Sequence, residues 1–106
     1  MFFELRQYRI LNGQMDRWVK LMEEKIIPFN VSKGIVVVGS FVGQEEKDLY
    51  VWIRRFESEE ARERQYKEVY ESEFWKNEVK PESDQMLDKS RMVITRLDAT
   101  GKSVIR

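Results

Sequence analysis

The alternation of side-chain character along Phe2–Ile10, FFELRQYRI, is the feature that most constrains the fold. Phe3 and Leu5 fall on one side, and Glu4, Arg6 and Tyr8 on the other. Period two marks a strand whose two faces meet different surroundings. The expected arrangement sets Phe3 and Leu5 against helices. It leaves an acid, a base and a phenol on a strip that floors a ligand-sized cleft.

The remaining segments must be compatible with that strand. Asn12-Gly13 ends it, with Asn12 as a candidate cap for the next element. Met15, Trp18, Val19, Met22 and Ile26 recur at helical spacing. Pro28 predicts a kink or a fresh turn, and Gly34 a left-handed stop. Ile35–Val42, IVVVGSFV, reads as a second strand that is apolar on both sides, with Gly39 marking a bulge or a close backbone approach. A charged connection, GQEEKD, leads to a third strand, Leu49–Phe56. There Leu49, Val51 and Ile53 share one face, and Tyr50, Trp52, Arg54 and Phe56 the other. Ser58 is placed to cap a helix running to about Glu71. Ser72 is placed to cap a shorter one containing Phe74, Trp75 and Val79, which Pro81 limits. Arg91–Leu97 is the fourth strand.

Strand, helix, strand, strand, helix, strand is the split βαβ order of an α+β, ferredoxin-like domain. Its four-stranded sheet is antiparallel, with both helices on one face. The chain reads as one domain, residues 1–97, with 98–106 as a loose C-terminal tail. Two helices cover only one side of such a sheet. The uncovered side is expected to carry Trp52 beside Val36, Val38 and Val42, or else beside Ile35, Val37 and Phe41. Burying three such side chains is worth about 2 kcal/mol each. A twofold-related second copy is the simplest cover, giving a homodimeric α+β barrel.

The chain has no Cys and no His. Disulfides, thiolate or imidazole metal sites, and triads built on either residue are thereby excluded. No metal or cofactor is expected. Basic and acidic residues balance at 19 each, so no net field draws the chain to nucleic acid or an anionic membrane. The longest apolar run, Ile35–Gly43, is about half a membrane span. Glu4 and Arg6 stand where a signal peptide needs apolar residues, so a cytoplasmic location is expected. The scattered glycines form no phosphate-binding loop.

ELRQY near the start, the Gly13 turn, the strand bearing Trp52 and the late segment SEFWKNEVKP resemble the NIPSNAP family, over about Phe2–Leu97. That family belongs to the dimeric α+β barrel proteins. The resemblance implies a ferredoxin-like fold, a homodimer and a cleft facing the dimer core. It implies little about a reaction, because most members have none assigned. Many members place His two residues before the Trp. Tyr50 stands there in this chain, which counts against histidine chemistry and haem ligation.

The candidate site comprises Glu4, Arg6, Tyr8, Tyr50, Trp52 and Arg54. In the catalytic reading, partial burial raises the pKa of Glu4, which accepts a proton while Arg6 holds an anionic or carbonyl oxygen. The structural alternative is an ion pair that sets strand register or a dimer interface. Tyr8, Tyr50 and Trp52 either clamp an aromatic ligand or pack in an interface. Trp75 reads as an anchor for its short helix. These features suit a small-molecule site, with metal-free oxygenase or isomerase chemistry as its enzymatic form. A non-catalytic interaction or scaffold module is the alternative. A haem-handling protein would need Tyr or Met as axial ligand.

Overall fold

Strand β1 (Phe2–Arg9) lies inside the sheet, paired on both edges. The computed structural model describes residues 1–106 and arranges its four strands in the order β2-β3-β1-β4, with every pairing antiparallel. The other strands are β2 (Val36–Val42), β3 (Leu49–Phe56) and β4 (Val93–Leu97). The expected α+β ferredoxin-like order is thus observed. No helix is long and apolar enough to cross a membrane.

The first helical segment starts as α1 (Met15–Leu21), passes through a π-helical turn at Met22–Ile26 and continues as α2 (Ile27–Ser32). Pro28 therefore does not break it. A proline inside a helix lacks an N–H and crowds the carbonyl four residues back. The wider π turn immediately before it absorbs that crowding. The same solution recurs later, where a π turn at Trp75–Val79 runs into α4 (Lys80–Met86) and Pro81 sits inside the helix instead of limiting it. Gly34 stops the first segment at φ +85°, the left-handed conformation glycine adopts without strain. Asn12 is not a cap. It takes a positive φ beside Gly13, and the N-terminal flank of α1 is Gln14. Ser58 does cap α3 (Glu59–Tyr70), accepting from the Ala61 amide at 3.1 Å. Ser72 accepts from the Trp75 amide at 3.1 Å in the same way.

The two faces of the sheet are the reverse of the expectation. Cross-strand pairing sets Glu4 opposite Arg54, Arg6 opposite Trp52 and Tyr8 opposite Tyr50. This whole set lies beneath the helices, where Tyr8 and Tyr50 pack against Trp18 of α1. Trp52 is only 2% exposed within a single chain, so a second subunit is not what covers it. The physical reason is bulk and pairing. The aromatic rings fill the wide gap between sheet and helices, and the charges find partners on the helices. Leu5, Val51 and Ile53 take the helix-free face instead.

Strand β2 does not keep one parity. The register shifts between Val37 and Gly39, so Val36, Gly39 and Phe41 share the free face while Val37, Ser40 and Val42 share the covered one. Gly39 is also a close approach: a Cβ there would lie 2.5 Å from the Phe41 ring. Val36, Phe41, Val93 and Leu97 remain exposed on the free face. The tail after β4 has hydrogen bonds of its own, from Ser103 N to the Thr100 carbonyl and from Arg106 Nε to the Ser103 carbonyl. Ile105 borders a recess with Phe3, Ile53 and Leu97 at one end of this face.

Candidate functional site

Two apolar clusters fill the space between sheet and helices. The larger holds Tyr8, Trp18, Met22, Ile26, Tyr50, Trp52, Val79 and Met86 among others, and the smaller holds Ile35, Phe56 and Val69. Arg54 lies between Trp52 and Phe56 along β3, and around it runs a polar seam that separates the clusters. Glu4 is its centre. One carboxylate oxygen accepts from Arg6 Nε at 2.8 Å, Arg54 Nη2 at 2.7 Å and Tyr66 Oη at 2.6 Å. The other accepts from Arg62 Nε at 3.1 Å. Arg54 reaches further, donating to Asn30 Oδ1 at 2.9 Å and Tyr70 Oη at 3.1 Å. Its guanidinium lies 4.5 Å from the centre of the Trp52 ring.

This bonding sets the protonation states. Burial alone would raise the Glu4 pKa. The Arg54 charge, the Tyr66 hydrogen bond and the Arg6 charge outweigh it and bring the value down to about 2. The expected raised pKa is therefore reversed, and a carboxylate with four donors on it is a poor proton acceptor. Burial pushes the Tyr66 phenol up to about 12 against the pull of Arg54 and Arg6. Burial likewise raises Tyr50 to about 12, despite its hydrogen bond with Ser40.

A cavity of about 140 Å³ opens beside this seam. Arg6, Tyr8 and Trp52 of the sheet form part of its wall. Trp18, Met22 and Ile26 contribute from the first helical segment, and Trp75 and Ser83 from the second. Both proline-associated π turns thus supply wall residues, and Lys25 ties them together, 3.9 Å from Glu78 and from Glu82. Lys80, Asp84 and Lys89 complete a charged part of the lining, with Asp84 held by both lysines. An apolar cavity of similar size accommodates a benzene ring. No group of three His, Cys, Asp or Glu side chains is placed to hold a metal ion.

The six residues singled out in the sequence are thus brought together on adjacent strands, but they divide in their surroundings. Arg6, Tyr8 and Trp52 reach the cavity. Glu4 and Arg54 lie in the ion cluster behind it. Tyr50 packs between Tyr8 and Trp18 and bonds to Ser40. Sequence reading missed Trp18, Lys80 and Lys89 as wall residues, and Asn30, Arg62 and Tyr66 as partners of the cluster. Tyr66 and Tyr70 do fall on the apolar stripe of α3, which is the one signal that a phenol faces the sheet.

Comparison with known proteins adds a family to this geometry. The NIPSNAP family model matches residues 3–99. The chain belongs to the NIPSNAP family. Solved structures of similar shape include a protein of Agrobacterium tumefaciens with 21% identity and a TM-score of 0.90, each chain covered over 100% of its length. A NIPSNAP family protein of the same organism has 22% identity and a TM-score of 0.88, over 99% of this chain and 98% of that one. A protein from an uncultured marine organism, described as a dimeric ferredoxin-like protein, has 10% identity and a TM-score of 0.71, over 98% and 99%. At these identities the likeness shows the fold alone. No curated protein matches the chain.

Proposed function

We propose that this NIPSNAP protein binds a small, ring-sized molecule in the cavity between sheet and helices. The observation that carries the reading is the wall itself. All three tryptophans of the chain, Trp18, Trp52 and Trp75, line one cavity, together with polar groups from Arg6 and Tyr8. An apolar enclosure with a few convergent polar groups is the usual make-up of a ligand site. Intrinsic fluorescence therefore reports on occupancy. A panel of single-ring compounds should produce saturable changes in tryptophan emission, and Ser83→Leu, which fills the cavity from α4, should abolish them. Emission indifferent to the whole panel would refute the reading.

The assembly we propose is a homodimer formed through the helix-free face. Its support is the row of exposed Val36, Phe41, Val93 and Leu97, contiguous with half-buried Leu5, Val51 and Ile53. Apolar exposure of this extent on one face is typical of association surfaces.

A further inference from the structure

We infer that the cavity selects a ligand carrying an anionic oxygen on or beside a ring, such as an aromatic carboxylate or a phenolate. The inference rests on the cavity being a ligand site, as proposed above, and deepens it by the chemistry of the unspent hydrogen-bonding groups. Tyr8 Oη accepts from Trp52 Nε1 at 3.0 Å and from Arg6 Nη1 at 3.3 Å. Its own proton meets no protein acceptor. Burial, working against the Arg6 charge, raises the pKa of this phenol and keeps that proton in place. Arg6 donates to Glu4, Tyr8 and Tyr66, and a guanidinium has five N–H donors, so two remain. The indole N–H of Trp18, another residue of the lining, is buried without a partner.

The unspent groups on these three side chains are all donors. Their electrostatic setting has the same sign. Arg6, Lys80 and Lys89 line the cavity against a single acid, Asp84. Behind the wall, Glu4 faces the charges of Arg6, Arg54 and Arg62 together. Buried donors beside an excess of positive charge are satisfied by an acceptor that brings negative charge.

The test is a tryptophan-fluorescence titration of the wild-type chain with benzoate and with its neutral counterpart benzyl alcohol, followed by three variants. Benzoate should bind at least about tenfold more tightly, the usual size of one charge-assisted hydrogen bond. Tyr8→Phe should weaken benzoate more than benzyl alcohol. Lys89→Ala alters an exposed side chain and leaves the core intact, so it keeps the test decisive if Tyr8→Phe fails to fold. It should weaken benzoate alone. Ser83→Leu should remove both. Equal affinity for the two compounds would overturn the anion inference while leaving the cavity a ligand site. Binding of neither by the wild-type chain, or benzoate binding that survives Ser83→Leu, would overturn both.

Discussion

The covered and free faces of the sheet come from the same strands, yet they are built on opposite plans. The covered face carries Glu4, Arg6 and Arg54 among five large aromatics, Phe2, Tyr8, Tyr50, Trp52 and Phe56, and every one of these charges is bonded to another side chain. The free face carries Leu5, Val51, Ile53 and Phe41, with Arg55 at one end. Intuition sends charges outward and aliphatics inward. The comparison shows why this sheet does the reverse. A buried charge is tolerated when its hydrogen bonds are complete, and Asn30, Arg62, Tyr66 and Tyr70 complete them from the helices. An aliphatic face needs no such partners from its own chain and can be buried by a second copy.

The sharpest way to break the contrast is to remove the centre of the covered face. Glu4→Ala leaves Arg54 fully buried with its carboxylate partner gone. It should cost about 3–5 kcal/mol of unfolding free energy by urea denaturation. The paired change Glu4→Leu with Arg54→Met should recover part of that loss, because two charges are then removed together. A single mutant as stable as wild type would show that the cluster is not structural.

Acidity probes the same seam without mutation. Glu4 titrates from 4.5 in the unfolded chain to about 2 in the folded one. Its contribution is therefore complete above pH 4.5 and is lost as pH falls toward 2, amounting to about 3–4 kcal/mol at about 1.4 kcal/mol per pH unit. Tyr50 and Tyr66 have the opposite sign. Their raised values favour the protonated folded form, so their contribution is full below pH 10 and is lost between pH 10 and about 12. Thermal melts across pH should show a shoulder at each end. In Glu4→Ala the acid shoulder should shrink to the smaller losses from Glu59, Asp84 and Asp88, whose pKa values are also lowered by hydrogen-bonded partners.

The free face should respond differently. Phe41→Glu places a charge on an already exposed position and should alter the unfolding free energy of one chain by about 1 kcal/mol or less. Its effect should appear in light scattering instead, as a fall from dimer mass to monomer mass. The smallest expected effect is at the bulge. Gly39→Ala forces the exposed Phe41 ring aside and should cost about 1 kcal/mol or less, and nothing in a Phe41→Ala background. A larger loss that persisted in that background would place the requirement for glycine in the backbone, not in the ring.

Much of the fold was legible because its signals are local. Alternation in Phe2–Arg9 and Leu49–Phe56, the Ser58 and Ser72 caps and the Gly34 stop each act within a few residues. The prolines misled for a physical reason. Their effect depends on whether the preceding turn can widen, and both Pro28 and Pro81 follow π turns. Of the candidate site, the set Glu4, Arg6, Tyr8, Trp52 and Arg54 was legible as a strip, because residues two apart on paired strands share a face. The cavity was not, since Trp18, Ser83 and Lys89 reach it from separate elements.

The amino-acid order by itself determined the succession of elements, the absence of any His or Cys chemistry, and which residues of each strand travel together. Which way each strip points was decided only by the tertiary structure. Alternation is symmetric about the plane of the sheet, so it separates two faces without labelling either. The label comes from partners far along the chain. Glu4 is held by Arg54, Arg62 and Tyr66, 50, 58 and 62 positions away, and no local pattern carries their hydrogen bonds.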